Sequence, residues 1–289
     1  MTSVDIILFC YKQEQYIEQA LRSIYTQELP KNVSARIIVA DDASPDNTLA
    51  IIKHHAPESP FPITFLPHEP NMGISKNYKR SFAATGADYV AILEGDDYWK
   101  PNHISQHVEF LQSHPECSMC MNELTNLFEA TGEMICNSMV TTGGMYKLID
   151  LHKQITAGNQ LGNLSACAFR GQYLRELPSD LFDMPIDDWM LGTMMVERGY
   201  IGILKGSTSV YRVKANGAWA GRSPWQQHLE MLRRADVYDG YQKGKYHAEW
   251  STFKKRCWDD VRRNWMHYLP NKIRKEWYVI KKIFRTKND

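Results

Sequence analysis

Three carboxylates stand within four residues in Ala91-Ile92-Leu93-Glu94-Gly95-Asp96-Asp97-Tyr98-Trp99, directly behind an apolar run. Like charges this close resist ionising together unless something neutralises them. Hard divalent cations such as Mg2+ or Mn2+ take carboxylate oxygens and keep open positions for substrate phosphates. Glu94, Asp96 and Asp97 therefore read as a cation site. A helix N-terminus at Pro101 would account for one acid through the helix dipole, not for three. Two further pairs, Asp41-Asp42 and Asp187-Asp188, fall where a strand or turn gives way to helical spacing. Helix capping is the simpler reading of an isolated Asp pair.

The elements that must position these acids follow from periodicity. Continuous apolar runs at 4–9, 36–40, 63–66 and 89–93 have the length and character of buried parallel strands. Between them, Ile17, Ala20, Leu21 and Ile24 recur at helical spacing, a capped turn leads into a helix near 48–55, and Tyr78 and Phe82 mark a helix through 75–84. Pro101 suits the first turn of a helix carrying Ile104, Val108 and Leu111. Alternating strand and helix predicts an α/β fold, a mostly parallel sheet flanked by helices. Ligands bind outside the carboxyl ends of such strands, where both acidic clusters sit. Residues 117–175 carry a weaker pattern, with a strand expected at 161–169 and a loop or hairpin at 143–146. Trp189, Met190, Thr193 and Met194 predict a helix stopped by Gly199, and 210–213 a late strand. Beyond Gly217 the pattern is helical, basic and rich in Trp.

The 289 residues suit one large domain, or one domain plus an appendage. Net charge is +1, but residues 253–289 hold 12 Lys and Arg against 4 Asp and Glu. A near-neutral chain with a basic tail argues against nucleic acid as a partner and for a tail that meets an anionic surface. Cys117-Ser118-Met119-Cys120 has no second pair at zinc spacing, so the six cysteines read as reduced thiols. The run Ile6–Cys10 is too short for a signal peptide, and no run reaches a membrane span. A cytoplasmic protein is expected.

Four segments in series, VDIILFCYKQEQYIEQALRSIYTQ, IIVADDASPDNT, PNMGISKNYKRSFAATGADYVAILEGDDYW and PIDDWMLGTMMVERGYIGIL, resemble the family 2 glycosyltransferases of the GT-A fold, of the bacterial polysaccharide-biosynthesis type. The likeness covers roughly residues 3–213, implying a GT-A domain over 1–215 and a basic helical extension over 216–289. It implies that Glu94-Gly95-Asp96 replaces the DxD motif, with Asp96 the main ligand of Mn2+ or Mg2+, Glu94 beside it facing the ribose or sugar, and Asp97 in support. It further implies that Asp41 contacts the base, typically uracil, that Asp42 caps the following turn, and that Tyr11 lies beside the base. Lys12 stands where relatives have Asn. Asn71, Gly73 and Lys76 would line the nucleotide pocket, and Lys214 would meet the diphosphate where a His often stands. Asp188 would be the catalytic base. Trp99, Asp187, Trp189, Trp219 and Arg222 would contact sugar or acceptor.

The resemblance implies an inverting transfer from a nucleotide-sugar, UDP-linked by preference, to a saccharide or lipid-linked acceptor. The segment 271–285 alternates basic residues with Trp277, Tyr278, Ile280, Ile283 and Phe284, the composition of a helix that lies on the inner membrane face or packs, solvated, on the domain. Two other classes remain open at this level. A nucleotidyltransferase would show a Gly-rich phosphate loop near the first strand, which FCYKQEQ is not. A non-enzymatic binding module would have no need of Asp188.

Overall fold

The computed structural model describes residues 1–269, except 68, 69, 141, 142, 216 and 218 and the side chains of Met266 and His267. The expected membrane-facing segment 271–285 lies outside the described residues. The chain divides into two compact units, the first ending at Val213 and the second starting at Lys214, against the 215/216 boundary read from the sequence.

The first unit is built on one ten-stranded sheet. Its N-terminal half runs β1 (Thr2–Cys10), α1 (Ile17–Tyr25), β2 (Val33–Asp41), α2 (Thr48–His55), β3 (Ile63–Phe65), α3 (Ile74–Ala83) and β4 (Tyr89–Glu94). Val4 to Cys10 are all buried, as a strand covered on both faces requires. Ile17, Ala20, Leu21 and Ile24 of α1 are wholly shielded, so the apolar stripe read from spacing is the buried face. β1 pairs in parallel with β2 on one side and β4 on the other. The order β3-β2-β1-β4 places the switch of winding direction over the carboxyl end of β1.

β5 (Tyr98–Trp99), α4 (His103–Ser113), β6 (Cys117–Phe128), β7 (Glu133–Asn137) and β8 (Tyr146–Ile149) follow. Then come α5 (Leu151–Thr156), β9 (Cys167–Arg170), α6 (Gly171–Arg175), α7 (Asp188–Val196) and β10 (Tyr200–Val213). The sheet continues past β4 as β9-β6-β10-β5. β9 is antiparallel to both neighbours, and β6 and β10 are parallel to each other. The helix expected from Pro101 starts at His103, with Asn102 as its cap residue. The strand expected at 161–169 is shorter: residues up to 163 form a loop, 164–166 a 3-10 turn, and extended pairing begins at Cys167. Gly158 (φ 85°) and Gly162 (φ 71°) set that loop's path. All six cysteines are free. Cys117 and Cys120 lie on β6 either side of a register irregularity and are both buried in the same core cluster.

Among the described residues the second unit contains two helices, α8 (Pro224–Tyr241) and α9 (His247–Arg263). α8 starts at a capping box, Ser223 with Gln226, with Pro224 in its first turn. Tyr238, Trp250 and Phe253 are buried where the two helices pack.

Candidate active site

Both acidic loops hang from the end of β1. The Asp42 amide donates to the Cys10 carbonyl (3.0 Å), and the Gly95 amide to the Phe9 carbonyl (2.8 Å). A parallel register with Cys10 opposite Asp41 and Phe9 opposite Glu94 leaves this as the geometric outcome. Gly95 is required by close approach. A Cβ there would stand 2.4 Å from Gln13 Oε1 and 2.7 Å from Ile17 Cδ1. Lys12, in the left-handed region at φ 56°, turns the chain so that Gln13 reaches back and its amide nitrogen donates to Asp96 Oδ1 (3.1 Å). A cleft of about 380 Å3 opens at this point, lined by Tyr11, Gln13, Asp42, Asn71, Gly73, Ile74, Tyr78, Glu94 and Asp96 among others. That volume suits a small-molecule ligand.

Oxygens of Glu94, Asp96 and Asp97 lie within 4.8 Å of one another. The three are not equivalent. Asp97 is 1% exposed, and its carboxylate accepts from Ser165 Oγ (2.7 Å), Asn163 Nδ2 (3.0 Å) and the Arg212 amide (2.9 Å). Burial first, and the Asp96 charge second, push its pKa up to about 7 against those three donors. Glu94 and Asp96 instead line the cleft. Two hard oxygen donors facing open space, backed by a third acid locked in place, fit a Mg2+- or Mn2+-sized ion that keeps positions for phosphate oxygens. Such an ion would also oppose the repulsion that raises Asp97.

Asp187 is the N-cap of α7, its carboxylate accepting from the Met190 amide (3.0 Å). Asp188, the first helical residue, accepts from Asn159 Nδ2 (2.8 Å) and the Trp189 amide (3.1 Å). One loop thus serves both centres. Asn159 reaches Asp188, while Asn163 and Ser165 hold Asp97, and Asn163 Nδ2 also lies 3.4 Å from Glu94 Oε2. The Tyr211 phenol on β10 registers the convergence. Burial raises its pKa most, and the charges of Asp97, Glu94, Asp96 and Asp188 all add to the rise.

The residues expected from the sequence divide. Tyr11, Asn71, Glu94 and Asp96 line the cleft. Asp41 and Asp42 sit the other way round from expectation. Asp41 is the turn acid, accepting from the Ser44 amide (3.0 Å), Ser44 Oγ and Cys10 Sγ. Asp42 lines the cleft and takes the Asn71 side-chain amide with the Met72 and Gly73 amides, latching the segment that enters α3. Ala43, left-handed at φ 57°, follows the pair and turns Ser44 back onto Asp41. Lys76 is exposed on α3 and is not part of the lining.

Trp99 and Trp189 offer no sugar-stacking face. Both are at most 3% exposed, with indole nitrogens donating to the Ser165 carbonyl (2.6 Å) and the Gln154 carbonyl (3.1 Å), and Trp99 stacks on His103. Lys214, Trp219 and Arg222 belong to the second unit, where the Arg234 guanidinium lies over the Trp219 ring at 5.5 Å and Arg222 pairs with Glu230 at 3.5 Å. Gln13, Asn159, Asn163, Ser165 and Tyr211 join the site without having been expected there. The doubled Gly-Asn step of GNQLGN was the one signal for the Asn pair.

Residues 5–134 match the model of the glycosyl transferase family 2. An uncharacterised protein of Mycobacterium tuberculosis is 30% identical over 217 residues, 75% of this chain and 60% of its own length, so the match spans under two thirds of that relative. The abequosyltransferase RfbV of Salmonella typhimurium is 29% identical over 118 residues, 40% of this chain and 35% of its own. Among solved structures, S. aureus TarS 1–349 in complex with UDP-GlcNAc superposes with a TM-score of 0.58 at 20% identity, over 82% of this chain and 66% of that one. The mannosyltransferase PcManGT of Pyrobaculum calidifontis, in complex with GDP-Man and Mn2+, gives 0.57 at 16%, over 90% and 75%. With its α/β sheet and the acids at the β1 switch point, the chain has the GT-A fold and carries a family 2 glycosyltransferase domain over residues 5–134.

Proposed function

We propose that the protein is an inverting, metal-dependent glycosyltransferase that moves a sugar from a nucleotide-sugar to a hydroxyl of a saccharide or lipid-linked acceptor in surface polysaccharide synthesis. The observation that carries this reading is the convergence of two carboxylate centres, Glu94/Asp96 and Asp188, held by one loop beside a cleft at the β1 switch point. Tyr11, Asp42 and Asn71 form the base side of the cleft, and Glu94, Gly95 and Asp96 the diphosphate side.

When bound, Mn2+ or Mg2+ absorbs charge on the departing diphosphate, which is worth several kcal/mol. Gln13 would hold Asp96, and Asn163 Glu94, in place for it. Asp188 accepts the proton of the acceptor hydroxyl as that oxygen bonds to the anomeric carbon and the bond to the diphosphate breaks. General base catalysis contributes about 10²–10⁴ in rate. One displacement inverts the anomeric centre and needs no enzyme nucleophile. UDP-sugars are the favoured donors, in keeping with the TarS complex, while the GDP-Man complex of PcManGT marks the other class to be tried. Among the described residues no helix is long and apolar enough to cross a membrane. The basic segment 271–285 is assigned to peripheral contact at the inner membrane face, with the enzyme otherwise cytoplasmic.

The test is release of nucleoside diphosphate and sugar from UDP-GlcNAc and GDP-mannose with Mn2+, with the product anomer read by NMR. Inverted product from the wild type, and loss of turnover by at least about a hundredfold in Asp188→Asn, support the reading. Full turnover by Asp188→Asn, or retained configuration, removes it.

A further inference from the structure

The second unit exposes indoles where a soluble helix pair would bury or omit them. Trp225, at the start of α8, is 37% exposed, and Leu229 one turn later on the same face is 43% exposed. Trp258 on α9 is 44% exposed and meets Trp225 edge to face, with centroids 6.4 Å apart. The His228 ring lies beneath, stacked on Trp225 at 5.6 Å and edge-on to Trp258 at 5.3 Å, and Tyr268 closes the cluster at 6.1 Å from Trp225. Trp265, in the turn that carries Tyr268, is 47% exposed.

Cations share this face. Lys255 and Arg262 stand three and four residues either side of Trp258, on its own helical stripe, and both are exposed. Arg262 pairs with Asp259 at 3.2 Å, yet its side chain stays 79% exposed. The sequence then continues into 271–285 with six basic residues and one acid.

We propose that this indole face of α8 and α9 is the surface that seats the protein on an anionic bilayer, with Trp225, Trp258 and Leu229 at the headgroup level and Lys255 and Arg262 against lipid phosphates. Indoles flanked by Lys and Arg belong at that depth. The charge pattern selects the bilayer over the chain's own tail as occupant. The tail carries the same sign as the Lys255–Arg262 stripe and would be repelled by it, whereas both attract an anionic surface. The inference deepens the peripheral contact proposed above by adding a described surface to the basic segment.

Co-sedimentation of the full chain with phosphatidylcholine vesicles, with and without phosphatidylglycerol, tests it. The wild type is expected on the anionic vesicles only, and Trp225→Ala/Trp258→Ala is expected to lose at least about tenfold in partitioning. A second measurement does not depend on that variant folding. In Trp277→Phe, which lacks the tail indole, brominated phosphatidylcholine in the anionic vesicles should quench the exposed indoles while buried Trp99, Trp189 and Trp250 stay unquenched. No vesicle binding by the wild type, wild-type partitioning by a folded double variant, or no quenching in Trp277→Phe would each overturn the proposal. Nucleotide-sugar binding measured without vesicles reports separately on the transferase reading, so either can fail alone.

Discussion

Gly95→Ala is the sharpest single perturbation of the site. The added Cβ would stand 2.4 Å from Gln13 Oε1, 2.7 Å from Ile17 Cδ1 and 3.2 Å from Cys10 Cβ. Gln13 can swing away, but its amide then leaves Asp96 Oδ1 (3.1 Å). Ile17 is wholly buried at the start of α1, so its Cδ1 has little room to turn away. Overpacking costs about 1–3 kcal/mol, and a hydrogen bond to a charged group is worth about 1.5–3 kcal/mol. A combined loss of about 3 kcal/mol lowers Tm by roughly 6–12 °C in a unit of this size. Losing a group that orients a metal ligand costs about 10–100-fold in metal affinity. Differential scanning fluorimetry and Mn2+ titration calorimetry read the two effects. In a Gln13→Ala background the Tm penalty should shrink, because the nearest atom is gone, yet persist in part through Ile17. Unchanged Tm and unchanged Mn2+ affinity in Gly95→Ala would refute the reasoning.

Asn159→Ala should lower kcat about tenfold while leaving the donor KM alone, because Asn159 orients Asp188 and touches neither Glu94 nor Asp96 through any described bond; steady-state kinetics checks this, and a raised donor KM would contradict it. Trp99→Phe should cost about 1–2 kcal/mol of stability by orphaning the buried Ser165 carbonyl, without changing donor affinity; a lost donor affinity at unchanged Tm would restore a sugar-stacking role to Trp99. Asp5, held below the usual carboxylate range by Arg36 (2.8 and 3.0 Å) and the Gly86 and Ala87 amides against its burial, locks the far end of β1. A depressed carboxylate stabilises above its unfolded pKa and loses that contribution as pH falls through the folded value. Asp5→Asn should therefore unfold earlier than wild type by about 2 kcal/mol at pH 7, with the gap closing below about pH 4; thermal melts across pH would contradict this by a constant gap.

The alternation from β1 to β4 was readable because strands covered on both faces are continuous apolar runs and each helix buries one regular stripe. β6 was not. CSMCMNELTNLF is buried through its first nine residues yet mixes Asn122 and Glu123 into the run. The Glu123 carboxylate is satisfied by Ser138, the Met139 and Val140 amides and the Gly206 amide, groups 15 to 83 residues away that no local pattern reveals. The acidic cluster was legible because three carboxylates behind a strand stand out, but the structural partners of Asp97 in Asn163, Ser165 and the Arg212 amide were not. Nor were the roles of Asp41 and Asp42, because the Asn71, Met72 and Gly73 groups that donate to Asp42 lie 29 to 31 residues away, outside any local pattern. Trp99 and Trp189 misled for a related reason: an indole suits a sugar wall and a core equally, and only the partner of its N–H tells them apart.

The central claim is that the Glu94–Asp96 cleft holds a nucleotide-sugar through a divalent ion. Thermal shift with UDP-, GDP-, CDP- and dTDP-sugars, each with Mn2+ and with chelator, tests it most directly. One nucleotide class should stabilise the wild type by about 2.7 kcal/mol at a hundred times its Kd, only with the metal present, and not in Asp96→Ala. A shift that survives both chelator and Asp96→Ala, or no shift with any donor, would contradict the account.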